Sequence, residues 1–359
     1  MRSPLWSLIP GRPGSAGCHA TRPRRQVPGV LTERPNVTLR QRRWVPLSDG
    51  TSTNTSAKAH QCITFLTDYG LDDGFVASCH GVAARIAPDV RIIDITHLVP
   101  AGDVRRGAAV LAQTVPYLPP GVHVAVVDPG VGTSRRAIAI EAGDRIFVGP
   151  DNGLLSWAAR GLAPGGTYSL APWRTPAGES TPAANEPRAF ELTNSKLWLD
   201  PVSPTFHGRD IFTPVAAQLA GGLDISAVGR PVDPASLITL PSPTRRVQNG
   251  GAEGEVLTVD RFGNIQLSLT RSDLDQLGAH PGDSLTITLG VTARLQGSEP
   301  QRRRTFSVPY RETFGSVPPG ELVAYADSVG CVALAVNSGD AAQRLGLPPG
   351  ARIRISPTP

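Results

Sequence analysis

From Cys62 to Asp128, three short apolar runs, CITFLTD, RIIDITH and VHVAVVD, alternate with two segments of helical period. Few folds accommodate that order. A strand, a helix and a second strand lie most readily as parallel neighbours in one sheet, because the crossover returns the chain to the same end. FVASCHGVAARIAPD spaces its apolar residues as a helix does and stops at Pro88. GDVRRGAAVLAQTVPYLPPG offers Asp103 at a helix start and Pro116 near its end. A strand in RIFVGPDNG, a helix in GLLSWAARGL and a helix in GRDIFTPVAAQLAGG extend the pattern. The expected fold class is α/β, with a mostly parallel, helix-covered sheet.

The character changes near LPSPTRRVQNGGAEG. GEVLTVD, NIQLSL, SLTITLG, RTFSVPY, ELVAYADS, CVALAVN and ARIRIS are short, often alternating runs between turn residues. They predict a smaller C-terminal domain, an antiparallel barrel or sandwich. The expected organisation is a disordered basic leader over 1–60, an α/β domain over 61–240, a linker over 241–251 and this β domain over 252–359. A Pro/Gly-rich surface loop is expected as an insertion at 163–188.

Charge excludes one class of partner. Residues 1–60 hold ten Arg and Lys against two Asp and Glu, while the whole chain carries +5. The basic excess therefore belongs to the leader, and the rest is mildly acidic, so no nucleic-acid partner is expected. The leader is Arg/Pro/Ser/Thr-rich without an apolar period, which reads as disorder. The same composition fits a transit peptide or a start codon assigned too early. Cys18, Cys62, Cys79 and Cys331 form no CxxC pair, as expected of free thiols in a reducing compartment. No run of about 18 apolar residues occurs, so no membrane partner is expected. A cytoplasmic location follows as the expectation.

Ligands of open α/β sheets bind beyond the carboxyl ends of the strands. Asp68 closes the first run, Asp128 closes the third, and Asp94 lies within the second. Asp68 can accept hydrogen bonds from a ribose diol or cap the following helix. The turn DPGVGTSRR joins Asp128 to Arg135 and Arg136; it lacks the phosphate-loop pattern, and its leading acid would repel phosphate. It is either a structural turn or a fixed acid–arginine pair facing a ligand. In TFHGRDIF, His207 precedes a helix, while Arg209 and Asp210 can pair or cap. His207 has no HxxxH or HxH companion and the cysteines are not clustered, so no metal is expected. No GxSxG elbow is present.

Taken together and in order, TDYGLDDG, ITHLVPAGDVRRGA, VDPGVGTSRR, VGPDNGLL, TFHGRDIF, VDRFGN and CVALAVNSG resemble the S-adenosyl-L-methionine (SAM) hydroxide adenosyltransferases. These adenosine-forming SAM hydrolases are relatives of fluorinase and chlorinase. The resemblance spans about Ile63 to Ile355 and implies an N-terminal α/β domain followed by a C-terminal β-barrel domain. It implies a homotrimer with sites between the α/β domain of one subunit and the barrel of the next. The substrate is SAM, the products are adenosine and L-methionine, and no cofactor is implied. The implied water-handling residues are Asp128, Arg135 and His207. Asp68 is the implied ribose ligand, with Asp73 a nearby acid. In the barrel, Asp260 and Ser328 are implied to hold the methionine amine. Phe262 and Asn264 are implied to stack on and hydrogen-bond adenine, and the backbone around Val336 and Ser338 to contact it too. Gly102 departs from the pattern, standing where an aromatic often covers the ribose.

Two rival functions differ in class. A SAM-dependent halogenase would bring a halide to the site, which the Asp128 carboxylate would repel. A non-catalytic SAM- or adenosine-binding regulator would keep Asp68, Asp260 and Asn264 while tolerating loss of His207.

Overall fold

The structure is a computed structural model that describes residue 60 and residues 62–161, 187–290 and 303–358. The expected leader, apart from His60, and most of the expected 163–188 insertion lie outside the described residues. The chain begins β1 (Cys62–Thr67), α1 (Phe75–Ile86), β2 (Arg91–Thr96), α2 (Val104–Thr114), β3 (Val122–Val126), as the sequence periodicity predicts. Next come β4 (Ala137–Ala142), β5 (Arg145–Pro150), α3 (Ser156–Gly161), β6 (Arg188–Glu191), α4 (Thr213–Ala220) and β7 (Arg230–Val232). They make one seven-stranded sheet in the order β2-β1-β3-β5-β4-β6-β7.

Both faces of this sheet are covered, which is why its strands read as unbroken apolar runs. Ile63, Phe65, Val122 and Val124 pack toward Cys79, Ala83 and Val215 of α1 and α4. Leu66, Ala125 and Val127 point the other way, onto Leu111 of α2 and Trp157 of α3. Each such large side chain removed from water contributes about 1.5–3 kcal/mol.

The sheet is mixed, not mostly parallel. β1 pairs parallel with β2 and β3, and β3 with β5, whereas the β4–β5, β4–β6 and β6–β7 pairings are antiparallel. The cause is local. Only Gly143 and Asp144 separate β4 from β5, and Gly143 sits at φ +64°. So short a connection joins antiparallel neighbours only.

The stretch read as a linker, 241–251, is also partly regular. Arg245–Gln248 form β8, antiparallel to β9 (Gly251–Val259). Asn249 and Gly250 between them have φ of 51° and 66°. Asn-Gly is the residue pair that a tight hairpin turn requires.

β9 leads into the second domain: β10 (Ile265–Thr270), α5 (Arg271–Gln276), β11 (Ser284–Leu289), β12 (Arg304–Pro309), β13 (Leu322–Ala326), β14 (Cys331–Val336), α6 (Ala341–Leu345) and β15 (Arg352–Pro357). The sheet runs β12-β11-β15-β9-β10-β14-β13 with every pairing antiparallel. A bridge between Tyr310 and Ala324 brings its two edges together, giving a nearly closed, barrel-like sheet. α2 ties the domains, through an Arg105–Glu255 ion pair and a bond of 2.6 Å from Gln113 Nε2 to Gln266 Oε1. Among the described residues no helix is long and apolar enough to cross a membrane.

Candidate active site

β1 lies between β2 and β3, so the chain leaves β1 toward one side and returns on the other. The carboxyl ends of β1 and β3 thus flank a topological switch point, where α/β sheets leave a crevice. Asp68 follows β1 and Asp128 follows β3 closely. Asp68 is held by main chain: the Gly102 N–H donates to its Oδ2 at 2.9 Å. Gly102 has φ +73°, a conformation that suits glycine. Next to Asp68, the Tyr69 ring meets Phe206 edge-on at 5.5 Å. Burial pushes the Tyr69 hydroxyl well above its ordinary pKa, so it stays a neutral phenol.

The loop after β3 answers why an acid and an arginine share it. Arg135 Nε lies 3.0 Å from both Asp128 oxygens, and Nη2 donates to Oδ2 at 2.5 Å. The same Nη2 donates to His207 Nδ1 at 2.9 Å. The three predicted water-handling residues therefore meet, with Arg135 in the middle. The Asp128 and Arg135 side chains are only 6% and 11% exposed, so water screens the pair little. The guanidinium lies over the Phe212 ring, 5.1 Å from its centre. Burial, then Arg135, lowers the His207 pKa below its ordinary value; Asp128 opposes them more weakly. Arg136, the alternative arginine, turns instead to Asp151 at 2.5 Å.

Two glycines permit the close packing around this trio. A Cβ on Gly132 would lie 2.5 Å from the Pro204 carbonyl oxygen, so the loop after β3 can press on the segment leading to His207. A Cβ on Gly208 would lie 1.9 Å from the Tyr69 hydroxyl oxygen. His207 stands at the start of a π-helical turn, Gly208–Phe212, that runs into α4. Such turns are rare and frequent at functional sites. Asp210, fully buried, pins this segment: it accepts from Arg209 Nε at 2.7 Å and from the Ser203 N–H at 2.8 Å. Arg209 and Asp210 thus pair.

A cavity of about 220 Å³ opens here, lined by Asp68, Tyr69, Gly102, Asp128, Thr205 and His207 among others. All its lining residues come from the α/β domain. Asp73 is exposed in the turn before α1 and does not line it. Tyr69 and Thr205 were missed by the sequence reading; for Tyr69 the signal was its place beside Asp68 in TDYG. Gly102 drew notice only as a missing aromatic, whereas its backbone orients Asp68.

The barrel candidates gather elsewhere, at one corner. The Asp260 carboxylate accepts from the Phe262 N–H at 2.8 Å, the Asn264 N–H at 2.9 Å and Asn264 Nδ2 at 2.8 Å. The turn is held by its own polar atoms and presents Phe262 at 61% exposure, with Arg261 over the ring at 4.6 Å. The Ala342 N–H donates to the Gly263 oxygen at 3.0 Å, so the turn abuts the chain just after Ser338. Gln266 Nε2 donates to Asp327 Oδ2 at 2.6 Å, which brings the Ser328 turn alongside. Ser328 and Ser338 are exposed, Ser338 at φ +58°, and Val336 is buried.

Comparison with known proteins matches this arrangement along its length. The chain is 51% identical over 295 residues to the (R)-S-adenosyl-L-methionine hydrolase of Salinispora tropica, covering 82% of this chain and 97% of that protein. It is 40% identical over 294 residues to the enzyme of the same name from Thermus thermophilus, covering 82% and 98%. The crystal structure of an uncharacterized conserved protein from Thermotoga maritima superposes with a TM-score of 0.69 at 34% identity, covering 82% of this chain and 99% of that one. Residues 63–229 match the SAM hydroxide adenosyltransferase N-terminal domain and residues 254–354 its C-terminal domain, and the chain belongs to that family.

Proposed function

We propose that this protein hydrolyses SAM to adenosine and L-methionine, by in-line attack of one water on ribose C5′. The sulfonium is already a good leaving group, so the enzyme's task is to place a water behind C5′ and remove its proton. The observation that carries this reading is the Asp128–Arg135–His207 contact at the wall of the cavity that Asp68 also lines.

The hydrogen bonds divide the labour. Arginine only donates, so His207 Nδ1 accepts, and the neutral ring carries its proton on Nε2. With its pKa lowered, His207 stays in that form near neutrality. It then offers an N–H to the water oxygen and has no lone pair to spare. Asp128 keeps lone pairs free beside those bonded to Arg135, so it accepts the water proton as the new C–O bond forms. The C5′–S bond breaks, its electron pair leaves with methionine sulfur, and the proton passes from Asp128 to solvent. Arg135 steadies the hydroxide character that develops. Holding reactants in line is worth about 7–11 kcal/mol when the geometry is good.

Asp68, oriented by Gly102, holds the ribose diol through its remaining lone pairs, with Asp73 acting from the rim. The cavity of about 220 Å³ is small beside the roughly 300–1,000 Å³ of a typical ligand pocket. That supports a site completed by the barrel corner of a neighbouring subunit in a homotrimer. There Phe262 stacks on adenine, Asn264 and the backbone at Val336 and Ser338 hydrogen-bond it, and Asp260 and Ser328 hold the methionine amine.

The test is incubation of the purified protein with SAM in water enriched in heavy oxygen. Label is expected in the adenosine 5′-hydroxyl. Unlabelled adenosine, a halide-dependent 5′-halo product, or bound adenosine with no methionine release would each overturn the reading.

A further inference from the structure

Away from the cavity, His80 on α1, Asp94 on β2 and His97 just after it bring three donor atoms within 4.8 Å of one another. His80 Nε2 lies 2.9 Å from Asp94 Oδ1, and His97 Nε2 lies 3.0 Å from the same oxygen. Two imidazole nitrogens thus converge on one carboxylate oxygen. The second contact is not aligned as a hydrogen bond, and His97 Nε2 is left without such a partner although the residue is only 4% exposed. An unsatisfied buried polar atom is costly. His97 is also held from behind, its Nδ1 2.8 Å from Thr67 Oγ1. Outer hydrogen bonds of this kind fix the rings of metal-ligating histidines.

We propose that His80, Asp94 and His97 bind a divalent transition-metal ion of the zinc class. Two imidazoles with one carboxylate favour such an ion over magnesium or calcium, which take oxygen donors. At the tetrahedral angle, bonds of about 2.0–2.2 Å set neighbouring donors roughly 3.3–3.6 Å apart. The Nε2–Oδ1 separations, 2.9 and 3.0 Å, are a few tenths of an ångström shorter, so the ion seats when the partly exposed His80 and Asp94 side chains swing slightly apart. The His80 and Asp94 side chains are 30% and 42% exposed, which leaves the ion a path from solvent. The expectation of no metal rests on the neighbours of His207 and on the unclustered cysteines, neither of which bears on this group. These ligands come from two elements and the turn beyond, with no short spacing to reveal them.

The ion staples α1 to the edge strand of the sheet, and the staple reaches the substrate turn through main chain. The Gly70 N–H donates to the His97 oxygen at 2.8 Å, and the Tyr69 N–H to Thr67 Oγ1 at 3.2 Å. The site therefore braces the turn that carries Asp68 without entering the cavity.

The experiment uses the full chain, stripped with a chelator and titrated at pH 7.5 with Co²⁺, followed by visible absorption, and with Zn²⁺, followed by calorimetry. One equivalent per chain is expected, with the intense absorption of a low-coordinate cobalt–imidazole complex and a raised melting temperature when loaded. His80→Gln and Asp94→Asn are expected to weaken binding about 10–100-fold or more, and His280→Gln, an exposed histidine elsewhere, to leave it unchanged. Circular dichroism checks that each variant is folded. Should Asp94→Asn fail to fold, His80→Gln decides alone, because His80 is partly exposed on its helix. No uptake by the wild type, or wild-type affinity in His80→Gln, overturns the proposal.

Discussion

Arg135 Nη2 donates to His207 Nδ1 at 2.9 Å, and this one bond fixes the imidazole proton on Nε2. In the proposed reaction the histidine therefore acts as a donor, and the carboxylate on the far side of the arginine is left to accept the proton.

Unequal losses follow for the two ends of the trio. Asp128→Asn is expected to lower kcat by about 10²–10⁴-fold with little change in KM for SAM. His207→Gln, which keeps an N–H, is expected to lose less. Adenosine release under saturating SAM, followed by chromatography, measures both. Wild-type turnover in Asp128→Asn would remove the carboxylate from the chemistry.

Arg135→Lys keeps the charge but not the fork. A single ammonium cannot bond Asp128 side-on and His207 together, so a loss of about tenfold to a thousandfold in kcat is expected. Arg135→Met, which removes the charge, should also move the acid limb of the pH–rate profile to higher pH, because burial alone then lowers the His207 pKa. A pH–rate profile with an unmoved acid limb would argue that Arg135 does not set the state of His207.

Gly208→Ala places a methyl group where the Tyr69 hydroxyl lies, 1.9 Å from the new carbon. The Tyr69 ring must leave its position or the π-helical turn must shift, at a cost of about 1–3 kcal/mol. A lower melting temperature together with weaker SAM binding is expected. If a spectroscopic probe of the ring and the affinity both stay unchanged, the close approach is not maintained in solution.

Stability should fall on the acid side for a reason outside the site. His123 is fully buried, with Thr64 Oγ1 2.9 Å from its Nδ1. Burial, then Arg145, pulls its pKa from 6.5 to about 3. The folded value lies below the unfolded one, so the unfolded chain takes up a proton first as pH drops. The stabilisation is complete above pH 6.5 and declines as pH falls toward 3. The slope from this one group reaches at most about 1.4 kcal/mol per pH unit. Urea midpoints between pH 7 and 5 should fall less steeply in His123→Gln than in the wild type. Equal slopes would exclude His123 as the source.

Much of the site was legible because of where strands end. CITFLTD and VHVAVVD are apolar enough to be buried on both faces, so their closing acids fall at the ligand edge whatever the details. Arg135 was legible in its own loop as one arm of an acid–arginine pair, but its meeting with His207 was legible only through motif order, since nothing local says that residues 72 positions apart will touch. The antiparallel half of the first sheet was not legible in the strand–helix rhythm; it depends on a two-residue link at Gly143. Nor was the role of Gly102, because a backbone N–H leaves no mark in composition. The Asp94 carboxylate was noticed at its strand, yet its partners His80 and His97 become visible only once the helix is laid against the sheet.

The extra residue in the turn Gly208–Phe212 has a consequence for how this segment can vary. An α-helix advances about 100° per residue, so the widened turn sets the angular phase between His207 and everything in α4 below it. Deleting one residue ahead of Phe212 in this turn would restore ordinary winding and keep Phe212 and Val215 in the core, while rotating the imidazole roughly a quarter of a circle off the guanidinium. The segment is thus constrained in length as well as at Gly208 and Asp210: a lost residue would silence the proposed water-handling end of the cavity.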